Sequence, residues 1–95
     1  MSDYQVVLSD RAKQRLSEIA AYLYEQSLSK EFVVNYLNSF ESWLEMLLTE
    51  FPESGTLMPD YGKNVRRVVY KKYSFLYRVN GVYIEVLTIY RDNLP

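Results

Sequence analysis

The spacing of apolar residues in this chain changes once, at Pro52, and that change restricts the fold more than any other feature. Before it, apolar side chains recur at helical intervals; beyond it they crowd into short β-branched and aromatic runs. Ala12, Leu16, Ile19, Ala20 and Leu23 form one stripe of a first helix, leaving Arg11, Lys13, Arg15, Glu18 and Glu25 for water. This helix is expected to end near Gln26 or Ser27. Ser29 is placed to cap a second, longer helix in which Val33, Tyr36, Leu37, Phe40, Leu44, Leu47, Leu48 and Phe51 follow the i, i+3, i+4, i+7 rule, and Pro52 stops it. So short a connection predicts an antiparallel helical hairpin. Ahead of it, Tyr4 to Leu8 reads as a strand, followed by Ser9 and Asp10 as N-cap candidates.

Pro52 to Asn64 holds two prolines and two glycines without periodicity and is expected to be a loop. Val65 to Tyr70, Tyr73 to Val79 and Val82 to Tyr90 then read as strands. With Asn80-Gly81 as a two-residue turn, Val79 faces Val82, Tyr77 faces Ile84 and Phe75 faces Val86 on a core side. The other side carries Arg78 opposite Tyr83, Leu76 opposite Glu85 and Ser74 opposite Leu87, a mixture polar enough to face solvent. A second turn at Lys71-Lys72 places Arg67 opposite Leu76, although lysine is not a residue that primed turns prefer. The expected fold is α+β: an N-terminal strand and an antiparallel helical hairpin packed on a small antiparallel β-sheet, in one domain over residues 1–95.

The chain has no cysteine and no histidine, which removes thiolate and imidazole chemistry and the commonest metal ligands. No cofactor and no metal site are expected. No apolar run reaches the about 18 residues of a membrane span, and the acidic lead from Met1 to Leu8 is unlike a signal peptide, so a cytoplasmic location without membrane contact is expected. The net charge of −1 conceals a division. Residues 1–50 carry four basic and eight acidic side chains, residues 51–95 seven basic and four acidic. Such asymmetry suggests an anionic partner for the second half, where tyrosines are interleaved with the cations.

Leu8-Ser9-Asp10-Arg11-Ala12, Phe51-Pro52-Glu53-Ser54-Gly55 and Val65-Arg66-Arg67-Val68 follow one another at spacings that carry a resemblance, together with the runs Tyr73 to Gly81 and Ile84 to Asp92. The chain resembles toxins of the RelE/ParE superfamily of bacterial type II toxin–antitoxin pairs, most closely the ParE branch. The resemblance implies a cognate antitoxin, ParD-like or similar, that wraps the hairpin and sheet, and a toxin–antitoxin hetero-oligomer that binds operator DNA through the antitoxin. It also implies one of two targets: DNA gyrase for ParE-like members, or mRNA on the ribosome for RelE-like endoribonucleases. Where ParE-like chains often have a histidine near the end of the last strand, this chain has Tyr90, so no imidazole role carries over.

Cutting RNA through its 2′-OH needs a base, an acid and cations, and a pI near 5.4 is unlike a protein that competes for ribosomal phosphates. Gyrase inhibition by docking needs no acid/base pair, so it is the favoured reading, with no catalytic residue; a non-toxic peptide-binding module is the third possibility. Candidate target contacts are Arg66, Arg67, Arg78, Tyr83, Tyr90 and Arg91, and candidate antitoxin contacts are Trp43, Leu76, Glu85 and Leu87. Lys71, Lys72 and Tyr77 read instead as turn and core residues, and Trp43 as a half-buried boundary residue.

Overall fold

The structure, a computed structural model, describes residues 4–26 and 28–91. Strand β1 (Gln5–Leu8) leads into helix α1 (Asp10–Glu25), which is followed by α2 (Lys30–Glu50), a two-residue strand β2 (Thr56–Leu57), and strands β3 (Val65–Tyr70), β4 (Tyr73–Asn80) and β5 (Tyr83–Arg91). Both caps are the serines. The Ser9 hydroxyl accepts from the Ala12 N–H at 3.0 Å and the Ser29 hydroxyl from the Phe32 N–H at 3.1 Å, each relieving one orphan donor of a first turn. Gln26 closes α1; Ser27, the other expected end, lies outside the described residues.

The five strands form one sheet in the order β1-β5-β4-β3-β2. The meander from β3 to β5 is antiparallel as expected and gains the unexpected short strand β2, whereas β1 adds to the free edge of β5 in parallel, Val6 beside Ile84 and Leu8 beside Val86. Ser9 secures that edge. Its N–H donates to the Val86 carbonyl at 3.0 Å, and its hydroxyl donates to the Leu87 carbonyl at 2.8 Å while capping α1. Leu87 is the extra residue of a β-bulge: Tyr77 faces Val86, but Leu76 already faces Thr88.

The helices cover one sheet face. Val33, Phe40, Leu44 and Leu48 of α2 and Ala12, Ile19 and Leu23 of α1 pack with Val68, Tyr73, Phe75, Tyr77, Ile84, Val86 and Ile89. Phe40 anchors this layer, with its ring 5.4–5.9 Å from those of Phe75, Tyr73 and Tyr70. Phe51 departs from the expected stripe and is 61% exposed, because the chain has left the helix at that residue and no longer follows the helical face.

The two hairpins reverse their expected ranking. Lys71-Lys72 is the turn, with φ of 51° and 71° and Tyr70 paired to Tyr73, and it sets Arg67 opposite Leu76 as counted. The Asn80-Gly81 turn slips by one residue. Asn80 pairs with Tyr83, so Gly81 and Val82 form the turn, and Val79 faces Ile84 rather than Val82. Of these two only Gly81 has positive φ, 62°, the sign pattern of a type II′ turn with glycine first. The pairing moves by two residues as far as Tyr77, which faces Val86, and by a third at the bulge, where Phe75 faces Ile89. Phe75, Tyr77, Val79, Ile84 and Val86 keep their core side, and on the other face Arg78 meets Glu85, Leu76 meets Thr88 and Ser74 meets Tyr90 in place of the expected partners. The Pro52–Asn64 segment is better ordered than a plain loop: β2 adds to β3, and Pro59–Tyr61 makes a 3₁₀ turn.

Candidate functional site

The sheet face turned away from the helices carries Arg67, Arg78, Tyr83 and Tyr90, four of the six candidate target contacts. It is less open than its polarity suggests. Ser74 and Leu76 are 0% and 2% exposed, because β4 is the central strand and each residue is flanked by side chains of both β3 and β5. Ser74 lies between Val69 and Tyr90, and Leu76 between Arg67 and Thr88. The Arg67 Nε donates to the Ser74 hydroxyl at 2.9 Å. Arg78 lies 3.7 Å from Glu85, a surface ion pair that offsets its charge.

Arg66 and Arg91 belong to the other face, at opposite ends of the molecule. The cations of the second half therefore form no single patch: Arg67 and Arg78 stand on the open face, Arg66 and Arg91 on the other, and Lys71 and Lys72 in the turn between β3 and β4. The candidate antitoxin contacts divide in the same way. Trp43 is half-buried on the helix side, stacked on Tyr70 at 4.5 Å between ring centroids, whereas Glu85 belongs to the open face beside the buried Leu76. Leu87 is half-buried at the bulge.

At one rim the Pro52–Gly55 segment is clamped. The buried Tyr77 hydroxyl accepts from the Gly55 N–H at 2.9 Å and donates to the Pro52 carbonyl at 2.8 Å, while the Arg66 guanidinium donates to the carbonyls of Glu53 and Gly55 at 3.0 and 2.8 Å. Burial raises the Tyr77 pKa above the usual phenol value, against the lowering effect of the Gly55 hydrogen bond. A Cβ at Gly55 would lie 2.7 Å from that hydroxyl, so the clamp requires glycine. Beside it Tyr4, Leu47, Phe51, Pro52, Ser54 and Val79 line a cavity of about 630 Å³.

At the other rim lies a cluster that joins Arg91, a candidate target contact, to Lys71 and Lys72, which the sequence reads as turn residues. Lys71, Lys72 and Arg91 line a cavity of about 330 Å³ with Tyr22, Leu23, Tyr36 and Tyr73. The Lys71 ammonium donates to the Ser39 hydroxyl at 3.0 Å and stands over the rings of Tyr36 and Tyr70, 4.8 and 5.3 Å from their centroids. Arg91 stands 5.7 Å over the Tyr22 ring. Burial raises the pKa values of Tyr36 and Tyr73, an effect that nearby Arg91 opposes in both. The one sequence signal for this cluster was two lysines in turn positions that ordinarily favour asparagine and glycine.

With this geometry in hand, the comparisons decide the lineage. A family model described as the ParE toxin of the type II toxin–antitoxin system parDE matches residues 6–93. The chain belongs to the ParE toxin family. Among solved structures, it is similar to a chain from the chromosomal ParDE TA system of P. aeruginosa, with a TM-score of 0.76 and 20% identity over 95% of this chain and 97% of that one; at that identity the likeness concerns the fold. No curated protein matches. The runs that carried the resemblance mostly build this ParE fold: Leu8 to Ala12 is the strand-to-helix junction tied by Ser9, and Phe51 to Gly55 the segment clamped by Tyr77. Among the described residues no helix is long and apolar enough to cross a membrane.

Proposed function

We propose that this ParE family member is the toxin of a type II pair, held inactive by a cognate ParD-like antitoxin, and that it acts by docking on DNA gyrase without cutting a bond. The match of the ParE model to residues 6–93 carries the reading. The chemistry of the open face supports the docking half of it. Among the described residues Glu85 is the one carboxylate on a strand and is paired with Arg78, and the sequence offers no histidine to share proton transfer. What the face does offer is Arg67, Arg78, Tyr83 and Tyr90, residue types that suit a protein or phosphate-backbone contact. The antitoxin is assigned the apolar groove at Leu47 and Phe51 together with the helical hairpin, and the pair binds operator DNA through the antitoxin.

The test is induction without antitoxin, followed by assays on purified protein. Filamentation with DNA-damage signalling in cells, and loss of gyrase supercoiling in the tube, is the expected result. Cleavage of transcripts on translating ribosomes, with supercoiling untouched, overturns it.

A further inference from the structure

The cationic rim at Lys71, Lys72 and Arg91 has a chemistry that docking by the open face does not use. Among the described residues no carboxylate lines its cavity, and none of the three cations has an acid within ion-pair reach. Like charges sharing one cavity repel one another, and a bound anion relieves that repulsion. A second cavity of about 340 Å³ shares Tyr22, Tyr73 and Arg91 with the first and continues over Ile19 and Ile89 to Arg15 and Glu18. The two make one cleft, cationic at the Lys71–Lys72 end and lined at the other by Ile19, Ile89 and the Tyr22 ring together with the Arg15–Glu18 ion pair, whose carboxylate is already matched by its own arginine.

The turn itself supports a role for its charges. Both lysines are held in the left-handed region, which strains a residue with a Cβ. Asparagine and glycine would close the same turn with less strain. Lys71 and Arg91 are fixed in place by Ser39 and by tyrosine rings, so little side-chain freedom remains to be lost on binding. Lys72 is exposed and has no side-chain partner among the described residues.

We propose that this cleft binds a nucleotide, its phosphate held by Lys71, Lys72 and Arg91 and its base laid against Tyr22 over Ile19 and Ile89. Each cavity is near the lower end of the about 300–1,000 Å³ range of small-ligand sites, and the two joined accommodate a phosphate and a base side by side. Arginine and lysine suit phosphate oxygens, and an aromatic ring stacks on the flat face that every base presents. An acidic peptide would satisfy the cationic end alone, leaving the ringed end without a flat partner. A free nucleotide and one nucleotide of a single strand offer the same chemistry.

Titration of the ¹⁵N-labelled full chain at low salt with inorganic phosphate, adenosine monophosphate, a hexadeoxyadenylate and a hexaglutamate tests this. Saturable shifts at Tyr22, Lys71 to Tyr73 and Arg91 are expected, with the monophosphate binding more tightly than phosphate. Lys72→Gln and Arg91→Gln each weaken it about tenfold, as loss of one charge-assisted contact does. Tyr22→Ala weakens the nucleotide but not phosphate. Lys72→Gln removes an exposed side chain, and an unchanged urea midpoint verifies that its fold is intact. Tighter binding of the hexanucleotide assigns the site to a strand, and equal or weaker binding to a free nucleotide. Absence of saturation by either, affinity indifferent to Lys72→Gln and Arg91→Gln, or preference for hexaglutamate overturns the proposal. Gyrase takes no part in the titration, so this result and that of the docking test stand separately.

Discussion

Replacing Tyr77 with phenylalanine removes one oxygen and strands two backbone groups. The ring is fully buried, and its hydroxyl is the side-chain partner of both the Gly55 N–H and the Pro52 carbonyl. Gly55 is itself buried, so its N–H loses a partner without gaining water, at about 1–3 kcal/mol. The Pro52 carbonyl belongs to a half-buried residue and adds less. Together these give about 2–3 kcal/mol, or a fall in Tm of about 10–20 °C for a domain of this size. Urea unfolding followed by tyrosine and tryptophan fluorescence measures the midpoint and the slope. A loss below about 0.5 kcal/mol with unchanged slope would show that water takes over both bonds, refuting the clamp. Gly55→Ala separates the hydrogen bond from the steric demand. Its Cβ would meet the ring carbon Cε1 at 2.8 Å and the Arg67 carbonyl at 2.9 Å, so it destabilises even in the Tyr77→Phe background.

Other expected outcomes rest on different contacts. Ser9→Ala removes both the α1 cap and the bond to the Leu87 carbonyl, and should cost about 1–2 kcal/mol in the same urea experiment, with faster amide exchange in β1. The tyrosines Tyr36, Tyr73 and Tyr77 have folded-state pKa values raised above the ordinary 10.0, so their contribution is complete below that pH and is lost as pH rises through the folded values. Stability should therefore fall steeply above about pH 10, and less steeply in Tyr77→Phe. Replacing Lys71-Lys72 with Asn-Gly should raise stability by about 1 kcal/mol by relieving the left-handed lysines, read as a higher urea midpoint. Arg67→Ala with Arg78→Ala should lessen growth inhibition while circular dichroism stays unchanged; full toxicity in that folded variant removes the open face from the mechanism.

The ordering of elements was legible before any coordinates, because it depends on signals that act over a few residues. Serine caps satisfy local N–H groups, Pro52 cannot continue a helix, and the apolar spacing of α2 names Val33, Phe40, Leu44 and Leu48 as its buried face. Even the unpromising Lys71-Lys72 turn followed from counting between strands. The sheet's other properties arise between segments far apart in sequence. Parallel addition of β1 depends on an edge of β5 that exists only after the meander forms, and burial of Ser74 and Leu76 depends on β4 having neighbours on both sides. The same distinction governs the sites. Composition located the positive charge in the second half, but strand alternation divided it between two faces, and the fold alone brought Tyr22 of α1 beside Arg91 at the end of β5. Local chemistry selects which segments form; only their packing decides which of their charges can meet a common ligand.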